Sequence, residues 1–449
     1  SQEEKHTLEE LLFSAISNCS ENVELQQSSG SISVGELDHD VIDNGDSRIN
    51  RIDEVDHGLK QSEESVMDED STVVDLTVGR EDLIEKLEST YRDVRGKLAR
   101  NGVSINPIDG GVKVSPMNVR FTFLPSEGTS IRNVRSKADD LAVWMKLPQG
   151  QKVDIDSDMG NIIMQFPLLK EQRMMFTYSV ISKNDIRDQG LSVPIGVDVD
   201  GEIVTYEFDS NSPHLLIGGT TGAGKSVALE TIIGGLLHRY DAAYLNLIYV
   251  DPKGVELINF EDCNAVQENC LGLKPGKYAV DAIEILSAAA QEMDRRNDLF
   301  ESRYRELKKD GLIARGQSVK NIDDFNKYTA DSVLPRLLIV LDEYADLVSD
   351  KDEKKDIQDQ LVRIAQKGRS TGIHLIVATQ KPVVDVIDTV VKSNLPGKLA
   401  LKVANSSDSG VILDEAGAER LLGLGDAYLK VGGEKTRLQI AKFDLFDQL

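Results

Sequence analysis

The 449-residue sequence holds only three cysteines, one tryptophan and six histidines, and no run of eighteen or more uncharged apolar residues. The last absence leaves no candidate for a membrane-spanning helix, and no signal-peptide pattern opens the chain. Cys19, Cys263 and Cys270 are scattered and too few for a disulfide framework, which fits a reducing, cytoplasmic setting. Neither they nor the histidines fall at metal-ligand spacing, so a zinc site is not expected. The first residue is Ser1, without a methionine, and we therefore expect a processed or truncated piece of something longer. Basic residues are in deficit as well: 51 Lys and Arg stand against 76 Asp and Glu, a net charge of −25. Taken whole, that balance argues against a nucleic-acid partner.

Its distribution reverses the argument. Residues 1–80 hold twenty acidic and five basic side chains, so the remainder carries a net charge of only about −10. Residues 18–80, typified by ESVMDEDSTVVD, have no sustained apolar period and cannot bury enough apolar area to offset their ordering entropy. We expect 1–80 to be an acidic, mostly disordered segment with a short helix at LEELLFSAI, serving as a linker or as a mimic of DNA.

Length allows two to four domains. From Glu81, Leu83, Ile84, Leu87, Tyr91, Val94 and Leu98 mark one helical stripe, and Val119, Phe121 and Phe123 alternate as a half-buried strand. Helical spacing returns over 129–147, and KVDID and NIIMQF predict two more strands, giving a small α+β domain over 81–205. From 206 to 449, near-continuous apolar strands (LLIGG, LNLIYVD, LLIVLDE, HLIVATQ) alternate with helices from Lys225, over 281–309 and over 354–369. That alternation predicts an α/β fold with a mostly parallel sheet covered by helices on both faces.

Between the first of these strands and its helix, Gly219, Thr220, Thr221, Gly222, Ala223, Gly224, Lys225 and Ser226 satisfy G-x-x-x-x-G-K-[ST]. Such a loop turns backbone N–H groups around a polyphosphate at a helix N-terminus. Lys225 would reach the β- and γ-phosphates, and the Ser226 hydroxyl would coordinate Mg²⁺. In LLIVLDE, Asp342 supplies a second Mg²⁺ ligand and Glu343 polarises the attacking water. Gln380, at the end of HLIVATQ, senses the γ-phosphate or its water, or else only caps the next loop. No N-K-x-D occurs, so ATP rather than GTP is the expected nucleotide.

With these residues assembled, the chain resembles the FtsK/SpoIIIE family of hexameric DNA translocases, within the FtsK–HerA group of P-loop motors. HLLIGGTTGAGKSV, VDPKGVEL (250–257), EMDRRNDLF (292–300), VLDEYADL (340–347), RIAQKGRSTGIHLIVATQKPVVDVI (363–387) and GAERLLGLGDAYL (417–429) carry the resemblance, in order. It implies a RecA-like ATPase motor preceded by the family's small pre-motor domain, double-stranded DNA as partner, and a ring of six. It implies also that Arg369 is an arginine finger acting across the subunit interface, with Arg363 as the local alternative. Two pore loops would hold the DNA backbone: the first offers Lys381 and Lys392, and the second, 404–414, offers Ser407. Where the family usually carries Lys and Arg, this sequence has Ser407 and Gly410, which weakens the salt-sensitive grip. The family's winged-helix domain and membrane-anchoring region are not in this sequence. The expected setting therefore shifts from chromosome segregation towards a larger restriction/defence or DNA-processing protein with other subunits. The accessory ATPase of a DNA-phosphorothioation-dependent restriction system has a similar FtsK-like region. A motor that moves a protein substrate, and a nucleotide-gated scaffold, are the competing expectations.

Overall fold

The computed structural model describes residues 73–148, 151–183, 190–208, 211–314, 316–329 and 333–444. The acidic segment up to residue 72, with LEELLFSAI and Cys19, lies outside them. In 73–80, Val74 and Leu76 are buried in the core of the large domain. No helix among the described residues is long and apolar enough to cross a membrane.

Helix α1 (Glu81–Arg100) buries Leu87, Tyr91, Val94 and Leu98, the stripe the sequence announces. Its acidic first turn and basic last turn complement the helix dipole. The stripe covers a four-stranded antiparallel sheet of order β1-β2-β4-β3, formed by β1 (Ile105–Val114), β2 (Asn118–Pro125), β3 (Asp154–Asp158) and β4 (Asn161–Pro167). Strand β1 has no legible alternation because its register shifts between Pro107 and Val112, around Gly110 and Gly111. The helix expected over 129–147 is two short ones, α2 (Ile131–Arg135) and α3 (Ala138–Trp144). Between them Ser136 donates its hydroxyl to the Asn133 carbonyl at 2.7 Å, a local bond that competes with helix continuation.

The large sheet has nine strands: β5 (Ser192–Asp198), β6 (Ile203–Glu207), β7 (His214–Gly218), β8 (Leu245–Val250), β9 (Arg336–Leu341), β10 (Ile373–Thr379), β11 (Gly397–Leu401), β12 (Asp426–Val431) and β13 (Glu434–Ile440). Their order is β6-β5-β13-β12-β11-β7-β10-β9-β8. The run from β11 to β8 is parallel, and β12, β13, β5 and β6 extend it antiparallel. Strand β5 lies before residue 206 and β6 straddles it, yet both hydrogen-bond into this sheet.

Every residue of β7, β8, β9 and β10 is buried, as strands covered on both faces must be. Leu215 and Ile217 face helix α4 (Lys225–Arg239), while Leu216 faces α5 (Ala279–Lys309) and α6 (Lys351–Thr371). The EMDRRNDLF signature has a structural duty. Arg296, fully buried on α5, donates to Glu292 at 2.7 Å and to the Thr371 carbonyl at the end of α6 at 2.8 Å.

Two histidines begin β7 and β10. His214 accepts the Leu375 N–H at 3.1 Å through Nδ1, and His374 Nδ1 lies 3.0 Å from the Pro213 carbonyl. Burial pushes their imidazoles down to about 4 and about 3. Below pH 6.5 the unfolded chain therefore binds protons that the folded chain refuses. Stability is full above that pH and falls on acidification towards pH 4, by up to ~1.4 kcal/mol per pH unit for each histidine. Urea-unfolding midpoints at pH 7, 6 and 5 should drop in sequence; equal midpoints would show that the folded chain takes up protons on acidification as readily as the unfolded chain.

Candidate functional site

Parallel order brings the carboxyl ends of β7, β8, β9 and β10 to one edge, where open α/β sheets bind ligands. The loop after β7 is Gly219–Ser226. Its base is fixed from both sides: Gly219 N–H donates to the Thr379 carbonyl at 3.2 Å, and Thr220 N–H to the Lys402 carbonyl at 2.8 Å. Ala223 N–H closes a turn onto the Thr220 carbonyl at 3.0 Å. The N–H groups of Thr221, Gly222 and Gly224 donate to no backbone carbonyl among the described residues. Helix α4 follows at once, so its own unpaired first-turn N–H groups point the same way. A loop of this geometry can cradle an anion.

Gly224 holds the cradle's last turn at φ +106°, and the nearest atom to a Cβ there would be Gly425 N at 2.6 Å. The Gly425 N–H donates to the Ala223 carbonyl at 2.9 Å, so the turn 422–426 presses on the loop from beneath. Asp426 locks that turn, accepting the Leu422 N–H at 2.8 Å and the Arg437 guanidinium at 3.0 and 2.8 Å. Gly224→Ala should destabilise the protein by about 2–4 kcal/mol, from strain at positive φ plus the clash. It should weaken nucleotide binding too. Unchanged thermal unfolding would mean that 422–426 yields freely.

Lys225 is buried, its ammonium paired with the Asp342 carboxylate and 3.2 Å from Glu256 Oε2. Burial alone would lower its pKa, but the two carboxylates outweigh burial and hold it raised. Asp342 directly follows β9, fully buried, and burial pushes its carboxyl up to about 6 in spite of Lys225. Its Oδ2 is buried with no hydrogen-bond partner. An orphaned carboxylate oxygen of this kind fits a hard divalent cation. Mg²⁺ would take Asp342 and the Ser226 hydroxyl, on the second residue of α4. Among the described residues no cluster of three His, Cys, Asp or Glu side chains could hold a metal alone, so phosphate and water would complete the shell.

Glu343 stands in the left-handed region at φ +46°, buried. Its Oε1 accepts from the Thr379 hydroxyl and the Gln380 N–H, each at 3.0 Å. The Gln380 side chain in turn accepts the Thr221 hydroxyl at 2.7 Å. Gln380 thus spans the phosphate cradle and the carboxylate, because β10 lies between β7 and β9.

The remaining expected residues divide. Arg369 sits near the end of α6, at the edge where β10 begins, whereas the cradle lies where β7 ends. About 20 Å of strand separates the two edges, beyond the reach of one side chain. Arg369 is exposed and makes no ion pair among the described residues; it lines a groove of about 1230 Å³ with Lys367, Asn297, Lys320 and His374. Arg363 pairs with Asp294 at 2.5 Å. Lys381 is exposed, 3.8 Å from Asp346. Lys392 is bound to Asp414 at 2.7 Å and to the Gly410 carbonyl at 3.2 Å. Ser407 is exposed on α8 (Ser406–Leu413), which follows α7 (Thr389–Asn394) in the chain.

The VDPKGVEL segment, whose residues carry no role legible in the sequence alone, joins the site in the structure. Asp251 Oδ1 accepts the N–H groups of Lys253 and Gly254 at 3.0 and 2.9 Å, and Oδ2 those of Glu256 and Leu257 at 2.9 and 3.2 Å. This wraps a turn that presents Glu256 to Lys225 and Lys253 to Glu343, the latter at 3.8 Å. An acid directly after an apolar strand was the available signal, the same one that exposed Asp342.

The FtsK/SpoIIIE family pattern matches residues 180–384. The chain is 34% identical to DNA translocase FtsK of Clostridium tetani (strain Massachusetts / E88), over 73% of this chain and 42% of that protein. To DNA translocase SftA of Bacillus subtilis (strain 168) it is 32% identical, over 73% of this chain and 33% of that one. It therefore spans less than half the length of these curated relatives. The solved structure of the pCW3 conjugation coupling protein TcpA, a monomer with ATPγS, shares the fold: TM-score 0.51 at 21% identity, covering 76% of this chain and 88% of that one.

Proposed function

We propose that the chain, whose residues 180–384 form an FtsK/SpoIIIE-family P-loop ATPase domain, is an ATP-driven double-stranded DNA translocase, acting as a hexameric ring within a larger restriction/defence or DNA-processing protein. One observation carries the reading. Lys225, Asp342, Glu343 and Gln380 converge at one edge of the sheet, around a loop whose N–H groups at Thr221, Gly222 and Gly224 have no backbone partner among the described residues, while Arg369 stands exposed at the other.

The loop amides and Lys225 bind the triphosphate of ATP. Ser226 and Asp342 would hold Mg²⁺, which would supply charge neutralisation for the phosphates when bound. Glu343 accepts a proton from the attacking water, and Gln380 transmits occupancy of the cradle to Glu343 through its two contacts. A neighbouring copy supplies Arg369 to the γ-phosphate, since head-to-tail contacts that close into a ring put one edge of the sheet against the opposite edge of the next copy. Lys381 and Ser407 touch the DNA backbone without reading bases. Lys392 joins them only after leaving Asp414.

The test is ATP hydrolysis with and without long double-stranded DNA at low and moderate salt. Stimulation of about tenfold or more that fades with salt is expected of a motor gripping phosphates. Hydrolysis indifferent to DNA would overturn the DNA reading in favour of a protein substrate, which the pairing of Lys392 with Asp414 also supports.

A further inference from the structure

Five charges of alternating sign run through the site: Asp342, Lys225, Glu256, Lys253 and Glu343. The nucleotide chemistry above uses the first two and the last. Glu256 and Lys253 are unassigned, and their geometry is specific. Lys225 approaches Glu256 through Oε2 at 3.2 Å, and Lys253 approaches the other oxygen, Oε1, at 3.7 Å.

We propose that Glu256 is a built-in competitor of nucleotide for Lys225, and that Lys253 takes Glu256 over when Lys225 moves to the phosphates. The inference rests on the nucleotide-binding reading. Lys225, with 3% of its side chain exposed, has water as no substitute for a partner, so the two carboxylates hold it until an anion displaces them. Glu256 does not follow Lys225 passively. Its own backbone N–H is fixed to Asp251, within the turn of four N–H bonds described above. Once Lys225 turns to the phosphates, Glu256 keeps a largely buried charge (13% exposed) beside a polyanion, an arrangement that is costly without a cation. Lys253 is on the same turn, already at the second oxygen, and 37% exposed, so it moves without breaking a core. Glu256 and Lys253 are positioning residues in this scheme: one sets the affinity and the other lowers the cost of the bound state. As Lys253 closes on Glu256 it also slackens from Glu343, 3.8 Å away, which ties cradle occupancy to release of the water-activating carboxylate.

The experiment is equilibrium binding of a fluorescent ATP analogue to the full chain in EDTA, so that neither turnover nor metal enters. Wild type, Glu256→Gln, Lys253→Met and the double variant are compared, with thermal unfolding as the folding control. Glu256→Gln should bind about three- to tenfold more tightly, the scale of losing one of the two carboxylates that compete for Lys225, and Glu256→Ala should shift in the same direction. Lys253→Met should bind about threefold more weakly, and Lys253→Arg should restore affinity. In the Glu256→Gln background the Lys253→Met effect should vanish, because Lys253 then has no carboxylate to take over. Unchanged or weaker binding by Glu256→Gln overturns the proposal, since Glu256 would then be orienting Lys225 towards phosphate. An equal Lys253→Met penalty in both backgrounds also overturns it, since Lys253 would be acting on the phosphates or on Glu343 alone. Failure of the wild type to bind the analogue both in EDTA and in excess Mg²⁺ would sink the nucleotide reading instead.

Discussion

Glu343→Gln should lower ATP turnover by about 10³-fold, within the range for loss of a general base, while nucleotide affinity stays within about threefold of wild type. The substitution keeps the shape and a carbonyl oxygen, which can still accept from the Gln380 N–H and the Thr379 hydroxyl. What it removes is the negative charge that draws a proton from water. Backbone strain at φ +46° is unchanged, so the variant should fold as the wild type does. Phosphate release in steady state reads the turnover, and fluorescent-nucleotide titration reads the affinity. A variant retaining more than a tenth of wild-type turnover would remove Glu343 from the chemistry. A wild type that binds ATP and scarcely hydrolyses it would favour a nucleotide-gated scaffold.

Arg369→Ala should reduce DNA-stimulated turnover by about 10³-fold, the lower end of what a guanidinium at the γ-phosphate contributes. The argument is positional. Arg369 cannot reach the cradle of its own chain, and it makes no ion pair among the described residues, so no structural partner accounts for it. Arg363 provides the contrast. Its pair with Asp294 is solvent-exposed, and Arg363→Ala should leave turnover within about threefold of wild type. Mixing decides between a shared and a private site. Arg369→Ala and Lys225→Ala chains should each be inactive alone, whereas a mixed ring would contain interfaces with an intact Lys225 on one side and an intact Arg369 on the other. Recovery of hydrolysis on mixing is the expected result. No recovery, with mixed assembly demonstrated by crosslinking, would place Arg369 outside the catalytic interface.

Several parts of the site were legible because the chemistry sits in a short contiguous stretch. Eight residues from Gly219 to Ser226 specify a turn, a run of free N–H groups and a helix start. The strand ends at Asp342 and Gln380 announce themselves as polar residues closing apolar runs. The stripe on α1 and the doubly buried strands follow from periodicity and continuous apolarity in the same way. Strand β1 and the break between α2 and α3 were not legible. A register shift and a serine hydroxyl that competes with the backbone leave no periodic trace.

Relations between distant segments belong to the tertiary structure. Lys225 meets Asp342 across 117 residues, and Gln380 bridges the cradle and Glu343 because β10, last in sequence of these three strands, inserts between β7 and β9. No local pattern encodes that order. It is set by which apolar faces cover one another once the helices pack on both sides. The same packing left Arg369 exposed, with no ion pair among the described residues, while pairing Arg363, and it tied Lys392 to Asp414 while leaving Lys381 exposed. In sequence these are equivalent cations. The sequence by itself determined which functional groups the protein has, since their types and local spacing are covalent facts. The fold decided which groups share a charge and which stay available, since ion pairing depends on distance through space and on burial, and both arise only when the chain closes on itself.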